Sequence, residues 1–421
     1  MPQSEPVILK SACPHDCPSA CALEVERLSP TRIGKVRGGR HFDYTDGAIC
    51  AKVARYAERI HHPDRLTQPL KRKGEKGRGT FIPISWEDAL DEIAEAFEKA
   101  SARFGSEAVW PYHSGGTMGV VQRWGLDRLR HAMRYSGEKT TICIGPSEPG
   151  WRAGVGRLEG TDPRAIADAD LIVVWGGNPV STQVNLMRHI QAARRERGAR
   201  LMVVDCYRTP TVEKADLPVI LRPGTDGALA CALMCVMLEE GLADEAFLEE
   251  YTDFGDDVRG HLLSRTPAWA AAITGVDEAT IRRLGRIIGE TKRAFFRLGF
   301  GFTRSRNGAA NMHAVTALPA ISGAWSHPGG GAFFLNLDNW ALDTTVVHGL
   351  DVKDETVRVL DQSRIGSVLT GDPQALLGGP PVAAMLMQNA NSANVAPESG
   401  LVRQGLSRGD LFLAVHEQFM T

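Results

Sequence analysis

The chain has 421 residues, 23% of them charged, with a formal net charge of −2, so no basic surface suggests nucleic acid as a partner. That length allows two to four domains with buried cores, and no apolar run approaches the ~20 residues that would span a bilayer. Residues 1–10 hold neither an apolar signal core nor a twin arginine, so a cytoplasmic location is expected.

From the N-terminus, the first chemistry-bearing pattern is Cys13-Pro14-His15-Asp16-Cys17-Pro18-Ser19-Ala20-Cys21, followed by Cys50. Eight cysteines in a chain of this size are too sparse for a disulfide scaffold, which leaves metal ligation as the alternative to ordinary buried thiols. Four thiolates suit a tetrahedral zinc or an iron–sulfur cube. Zinc sites favour paired CxxC knuckles, which are absent, whereas a compact triplet with one distant partner is closer to the ligand set of a [4Fe–4S] cluster. Residues 22–27 alternate apolar and polar as a half-buried strand does, and residues 33–37 read as the hairpin partner. Residues 62–80, rich in Pro, Gly, Lys and Arg, read as a long loop. Ser85 then caps a helix to about residue 103 with Ala89, Ile93, Ala96 and Phe97 as its apolar stripe. A strand at 108–112, the loop Ser114-Gly115-Gly116-Thr117 and a helix to about 135 follow. Cys143 ends a short apolar run before a helix start; it suits a soft metal, or it is a small buried hydrophobe.

From residue 166 the pattern becomes regular. Residues 171–175 form a continuous apolar run, as expected of a strand covered on both faces, and a helix to about 197 leads to the next strand at 201–204. Strand–helix–strand of this length predicts a parallel, doubly wound α/β sheet. Helices are predicted at 226–240, 277–290 and 307–322, with strands at 295–298, 384–387 and 411–415. Ligands of such sheets bind beyond the carboxyl ends of the strands. The candidates there are Gly176, Gly177, Asn178 and Pro179; Asp205, Arg208 and Thr209; and Arg222, Gly224, Thr225 and Asp226. Gln388 and Asn389 end a later strand and join them. Together they predict a nucleotide-like ligand, and the lack of a Walker Gly-Lys-Ser/Thr argues against ATP hydrolysis. Cys231 and Cys235 sit four apart on an apolar helix and read as core, while Cys206 has no obvious partner.

In order along the chain, the cysteine array, Ile49-Cys50-Ala51-Lys52, residues 62–70 (His-Pro-Asp-Arg-Leu-Thr-Gln-Pro-Leu), Ile84-Ser85-Trp86-Glu87-Asp88, Trp175-Gly176-Gly177-Asn178-Pro179 and Arg222-Pro223-Gly224-Thr225-Asp226 resemble the molybdopterin oxidoreductase family. The resemblance implies a [4Fe–4S] cluster on Cys13, Cys17, Cys21 and Cys50 and a bis-molybdopterin guanine dinucleotide carrying Mo or W. It implies Lys52 between cluster and pterin, Cys143 as the metal's protein ligand, a small-molecule substrate and an electron-transfer partner protein. The expected organisation is a small, mainly β iron–sulfur domain (1–60) followed by two interleaved α/β domains, 61–140 plus 335–421 and 141–334. Trp110, His113 and Arg304 are expected to line the substrate funnel. Departures from the family pattern narrow the substrate. Formate dehydrogenases carry His after the metal ligand and Arg in a later stretch, where this chain has Ile144 and Phe334-Leu335-Asn336-Leu337-Asp338-Asn339, so formate is disfavoured. The dimethyl-sulfoxide reductase branch ligates Mo through Ser; Cys143 points away from that branch, although Ser147 is close by. Cys-Ile-Gly also resembles the acetylene hydratase branch, a minor option. The family continues past a phrase like residues 415–421 into a final β-barrel domain, so either this chain is a fragment or that domain is expected from another chain.

Overall fold

The computed structural model describes residues 6–115 and 119–421, so Gly116 and Thr117 of the expected loop and the first five residues lie outside the described residues. Strands β1 (Val7–Ala12), β2 (Ala22–Ser29) and β3 (Arg32–Gly38) form an antiparallel sheet. β2 and β3 are the expected hairpin; β1 adds a strand that its composition does not announce. Ala12 pairs with Ala22, and Cys13 N–H donates to the Cys21 carbonyl at 2.8 Å. The cysteine triplet is therefore a hairpin loop, with Cys13 and Cys21 at its neck and Cys17 midway. The next segment folds back against β3. A Cβ on Gly38 would stand 2.2 Å from the Gly47 carbonyl oxygen, and Gly47 itself adopts φ +78°. This close approach returns Cys50 to the loop, just before the short helix α1 (Ala51–Ala54).

The stretch expected as a loop contains Leu70–Arg72, which pairs with Phe81–Pro83. α2 (Trp86–Phe104) starts as predicted, with Ser85 Oγ accepting from Asp88 N–H. β4 (Val109–His113) and α3 (Val120–Ala132) follow. Residues 141–143 form no strand. The strand before Cys143 is Gly137–Lys139, paired with Val359–Asp361, and α4 (Ile144–Val155) begins directly after Cys143.

The central sheet contains β5 (Leu171–Trp175), β6 (Arg200–Asp205), β7 (Leu217–Ile220), β8 (Ala294–Leu298) and β9 (Gly331–Phe333), all parallel in the order β7-β6-β5-β8-β9. Strand order reverses between β5 and β8, which opens a crevice at their carboxyl ends. Helices α5 (Val184–Arg197), α6 (Asp226–Glu239), α7 (Glu278–Glu290) and α8 (Gly308–Ile321) accompany it. Leu171, Val173, Phe296 and Leu298 pack with Leu233 and Met237 of α6 and Val315 of α8 on one face. Ile172, Val174 and Phe295 pack with Leu186 and Ile190 of α5 on the other. Burial on both faces explains the unbroken apolar runs, each large side chain contributing about 1.5–3 kcal/mol. Cys235 is fully buried in α6, and Cys231 packs against the same core.

A separate parallel sheet, β11-β10-β4, joins β4 to β10 (Ala384–Gln388) and β11 (Phe412–His416) from the far end of the chain. Its core contains Trp110, Tyr112, Met385, Met387 and Val402. The fold is thus α/β, with a small β module followed by parallel sheets. Among the described residues, no helix is long and apolar enough to cross a membrane.

Candidate functional site

The hairpin loop and the returning segment bring the four N-terminal cysteines into one wall of a cleft of about 540 Å³. Burial first, and then the neighbouring thiols of Cys13, Cys17 and Cys50, push the Cys21 thiol up to about 12. Burial also raises Cys13, an effect that the Lys52 ammonium partly offsets. Thiols packed this closely become stable thiolates only against cationic metal. Among the described residues, no three His, Cys, Asp or Glu side chains close around a single ion, and all four cysteines line the cleft. Tyr56 Oη lies 2.7 Å from His15 Nε2 and steadies the loop between Cys13 and Cys17.

The opposite wall consists of strand-end loops at the switch point. Gly176, Gly177, Asn178 and Pro179 follow β5, Asp205 ends β6, Gly224 and Asp226 open α6, and residues 299–302 follow β8. A Cβ on Gly299 would sit 2.2 Å from the Gly176 carbonyl oxygen, so the β5 and β8 loops meet backbone to backbone. Asn178 Oδ1 accepts from Thr211 Oγ1 at 2.7 Å. Asp205 accepts from Cys206 N–H, and burial raises its carboxyl. Asp226 accepts from Trp175 Nε1 at 2.8 Å, and burial pushes its carboxyl up to about 6.

Several expected ligands do other work. Thr209 is buried, with its hydroxyl accepting from Val212 N–H, so it closes a turn. Arg208 is exposed and lies outside the cleft lining. Arg222 donates to the carbonyls of Ala272 and Ile273 at the end of the Pro267–Thr274 helix, and Thr225 Oγ1 donates to the Arg222 carbonyl. These contacts satisfy helix-terminal and turn carbonyls. Gln388 and Asn389 end β10 rather than a strand of the central sheet; Gln388 Nε2 donates to the Gln122 carbonyl, outside the cleft. Of the expected funnel residues, Trp110 is sealed in the core and His113 is 6% exposed, its ring near Glu138 and Arg130. Arg304 does line the cleft.

Cys143 is half-buried and immediately precedes α4. A Cβ on Gly145 would stand 1.8 Å from the Thr140 carbonyl oxygen, so the turn that presents Cys143 requires Gly there. Arg304 Nη2 lies 3.5 Å from Cys143 Sγ, linking the thiol to the cleft wall. Ser147, the other candidate ligand, is fully buried 2.5 Å from Thr303 Oγ1, out of reach of a cofactor.

The structure adds residues that spacing did not reveal. α5 clasps the cluster module: Asn185 Nδ2 donates to the Tyr44 carbonyl, and Arg188 Nη1 to that of Thr45. Arg297 and Gln183 line the cleft beside Cys17 and Ser19. Two buried oxygens of that lining, Ser19 Oγ and Asn185 Oδ1, have no protein partner. Such orphaned atoms inside a polar cleft fit a bound group that supplies the missing hydrogen bonds. The one readable hint was a cation inside the apolar strand Ala-Phe-Phe-Arg-Leu.

Residues 8–62 match the molybdopterin oxidoreductase Fe4S4 domain, and residues 65–406 match the molybdopterin oxidoreductase family. The chain is 38% identical to "Probable oxidoreductase YoaE" of Bacillus subtilis over 98% of its own length and 60% of that protein's. It is 29% identical to dimethyl sulfoxide reductase DmsA of Escherichia coli over 76% of its length and 44% of DmsA's. Acetylene hydratase from Pelobacter acetylenicus has the same fold, with a TM-score of 0.77 and 22% identity over 98% of this chain and 61% of that one. The chain therefore spans about three-fifths or less of the relatives it matches. The two matched domains assign it a [4Fe–4S] cluster and a molybdopterin cofactor, and the four N-terminal cysteines and the strand-end loops line one cleft. The chain belongs to the molybdopterin oxidoreductase family.

Proposed function

We propose that the chain is the cofactor-binding part of a molybdenum or tungsten oxidoreductase that passes electrons between a small substrate and the [4Fe–4S] cluster. The observation that carries this reading is the shared cleft, with four cysteines and Lys52 on one wall and the strand-end loops of the switch point on the other. Cys143 would hold the metal, and the loops at Gly176–Pro179, Asp205 and Gly224–Asp226 would hold the guanine dinucleotides. When bound, the cofactor supplies the two-electron chemistry. The protein's own groups position and isolate it. Asp226 fixes Trp175 beneath the β5 loop, and Arg304 places a cation against the Cys143 sulfur. Lys52 lines the cleft beside the four cysteines and would place a cation near the cluster, whose electrons would pass to a partner protein.

Formate stays disfavoured. Ile144 packs toward the core, and Asp338 receives both terminal nitrogens of Arg152 at 2.6 and 2.9 Å, so that stretch presents a paired acid rather than a free guanidinium. The division into residues 1–60, 141–334 and a unit built from 61–140 with 335–421 belongs to the same proposal, supported by separate cores and by the pairing of β4 with β10. The test is anaerobic oxidation of reduced methyl viologen by dimethyl sulfoxide and other small oxides. Wild type should turn over at least one of them, and Cys143→Ala should abolish turnover with the cluster spectrum intact. Full activity in Cys143→Ala would overturn the ligand assignment. Iron without pterin, Mo or W would instead identify an electron-transfer subunit.

A further inference from the structure

Arg297 lies on β8 between Val174 of β5 and Phe333 of β9, on the face where Phe295 packs into the apolar core. It is 5% exposed, and no carboxylate pairs with it among the described residues. Its guanidinium is held instead by neutral acceptors. Nε donates to Gln183 Oε1 at 2.9 Å, and Nη1 points at the carbonyls of Leu298 and Phe333, with the Phe333 ring 5.1 Å away. Gln183 is fixed in turn by donating to Tyr44 Oη at 3.4 Å, inside the cluster module. A buried cation without a counter-ion is unfavourable unless a charge arrives to meet it. The cleft that Arg297 lines also carries Cys17 and the orphaned Ser19 hydroxyl.

We propose that Arg297 is an electrostatic positioning residue for the iron–sulfur cluster, a fixed buried cation on the Cys17 side that raises the cluster's reduction potential. A four-thiolate cluster becomes more negative on reduction, and a nearby cation in a low-dielectric wall stabilises the reduced state more than the oxidised one. Burial lowers the guanidinium to about 10, so it remains charged at neutral pH. Lys52 lines the same cleft, so Arg297 is one of two cations beside the cluster cysteines. The inference rests on the cluster assignment and not on turnover; it would survive failure of the oxidoreductase reading.

The test is an EPR-monitored redox titration of the anaerobically purified full chain, without substrate, in wild type, Arg297→Lys, Arg297→Met and Arg297→Gln. Iron content should be equal in all four. The cluster midpoint should fall in the Met and Gln variants and stay near wild type in Lys. An unchanged midpoint in the neutral variants, or an equal fall in Arg297→Lys, would overturn the proposal. Loss of iron from both neutral variants would overturn it as well, by assigning Arg297 to folding alone.

Discussion

Asp226→Asn offers the sharpest check on the cleft's electrostatics. Asp226 is 3% exposed, accepts from Trp175 Nε1, and has its carboxyl pushed from 3.8 up to about 6 by burial. A carboxyl raised on folding binds more protons in the native than in the unfolded state between those values, so native stability falls as pH rises through that window. The full penalty is about 2 pH units, or about 3 kcal/mol, above about pH 7, and it shrinks to about 1 kcal/mol near pH 4.5. Asn keeps an acceptor oxygen for Trp175 and removes the charge. Cofactor-free Asp226→Asn should therefore be more stable than wild type by up to about 3 kcal/mol near pH 8 and by about 1 kcal/mol near pH 4.5. Guanidinium unfolding followed by tryptophan fluorescence measures this. A variant less stable than wild type near pH 8, or a difference independent of pH, would refute the reasoning.

Gly145→Ala places a Cβ against the Thr140 carbonyl oxygen and should destabilise the chain by more than about 3 kcal/mol, with a matching fall in Tm. Trp151→Ala empties a fully buried site beside Phe334 and should cost about 3–5 kcal/mol while leaving the reconstituted cluster's absorbance unchanged. Ser147→Ala removes only the hydroxyl facing Thr303; metal content should be retained at a stability cost of about 1 kcal/mol, whereas loss of Mo or W would make Ser147 the ligand.

The central sheet was legible because its strands are buried on both faces and so spell themselves as apolar runs, as Leu171–Trp175 does. The starts of α2 and α7 were legible because Ser85 and Asp277 accept from backbone N–H groups in the first turn. β1 was not, since all six of its residues are exposed and show no alternation. β9 is three residues long and begins on the last residue of a glycine run. Among site residues, the cysteine array could be read because its spacing is a property of one hairpin loop. Arg222 and Thr209 carry ligand-like chemistry that nearby backbone groups consume, which composition does not reveal. Arg297 was hidden for the opposite reason: its partner Gln183, and Tyr44 to which Gln183 donates, lie more than a hundred residues upstream, and only folding brings them together.

The central claim, a cluster and a metal–pterin cofactor sharing one cleft, is tested most directly by iron, Mo, W, Zn and pterin analysis of the anaerobically purified chain. The account predicts about four irons per chain together with pterin and Mo or W. Iron without pterin, Mo or W would contradict the catalytic reading, and zinc without iron would contradict the cluster itself.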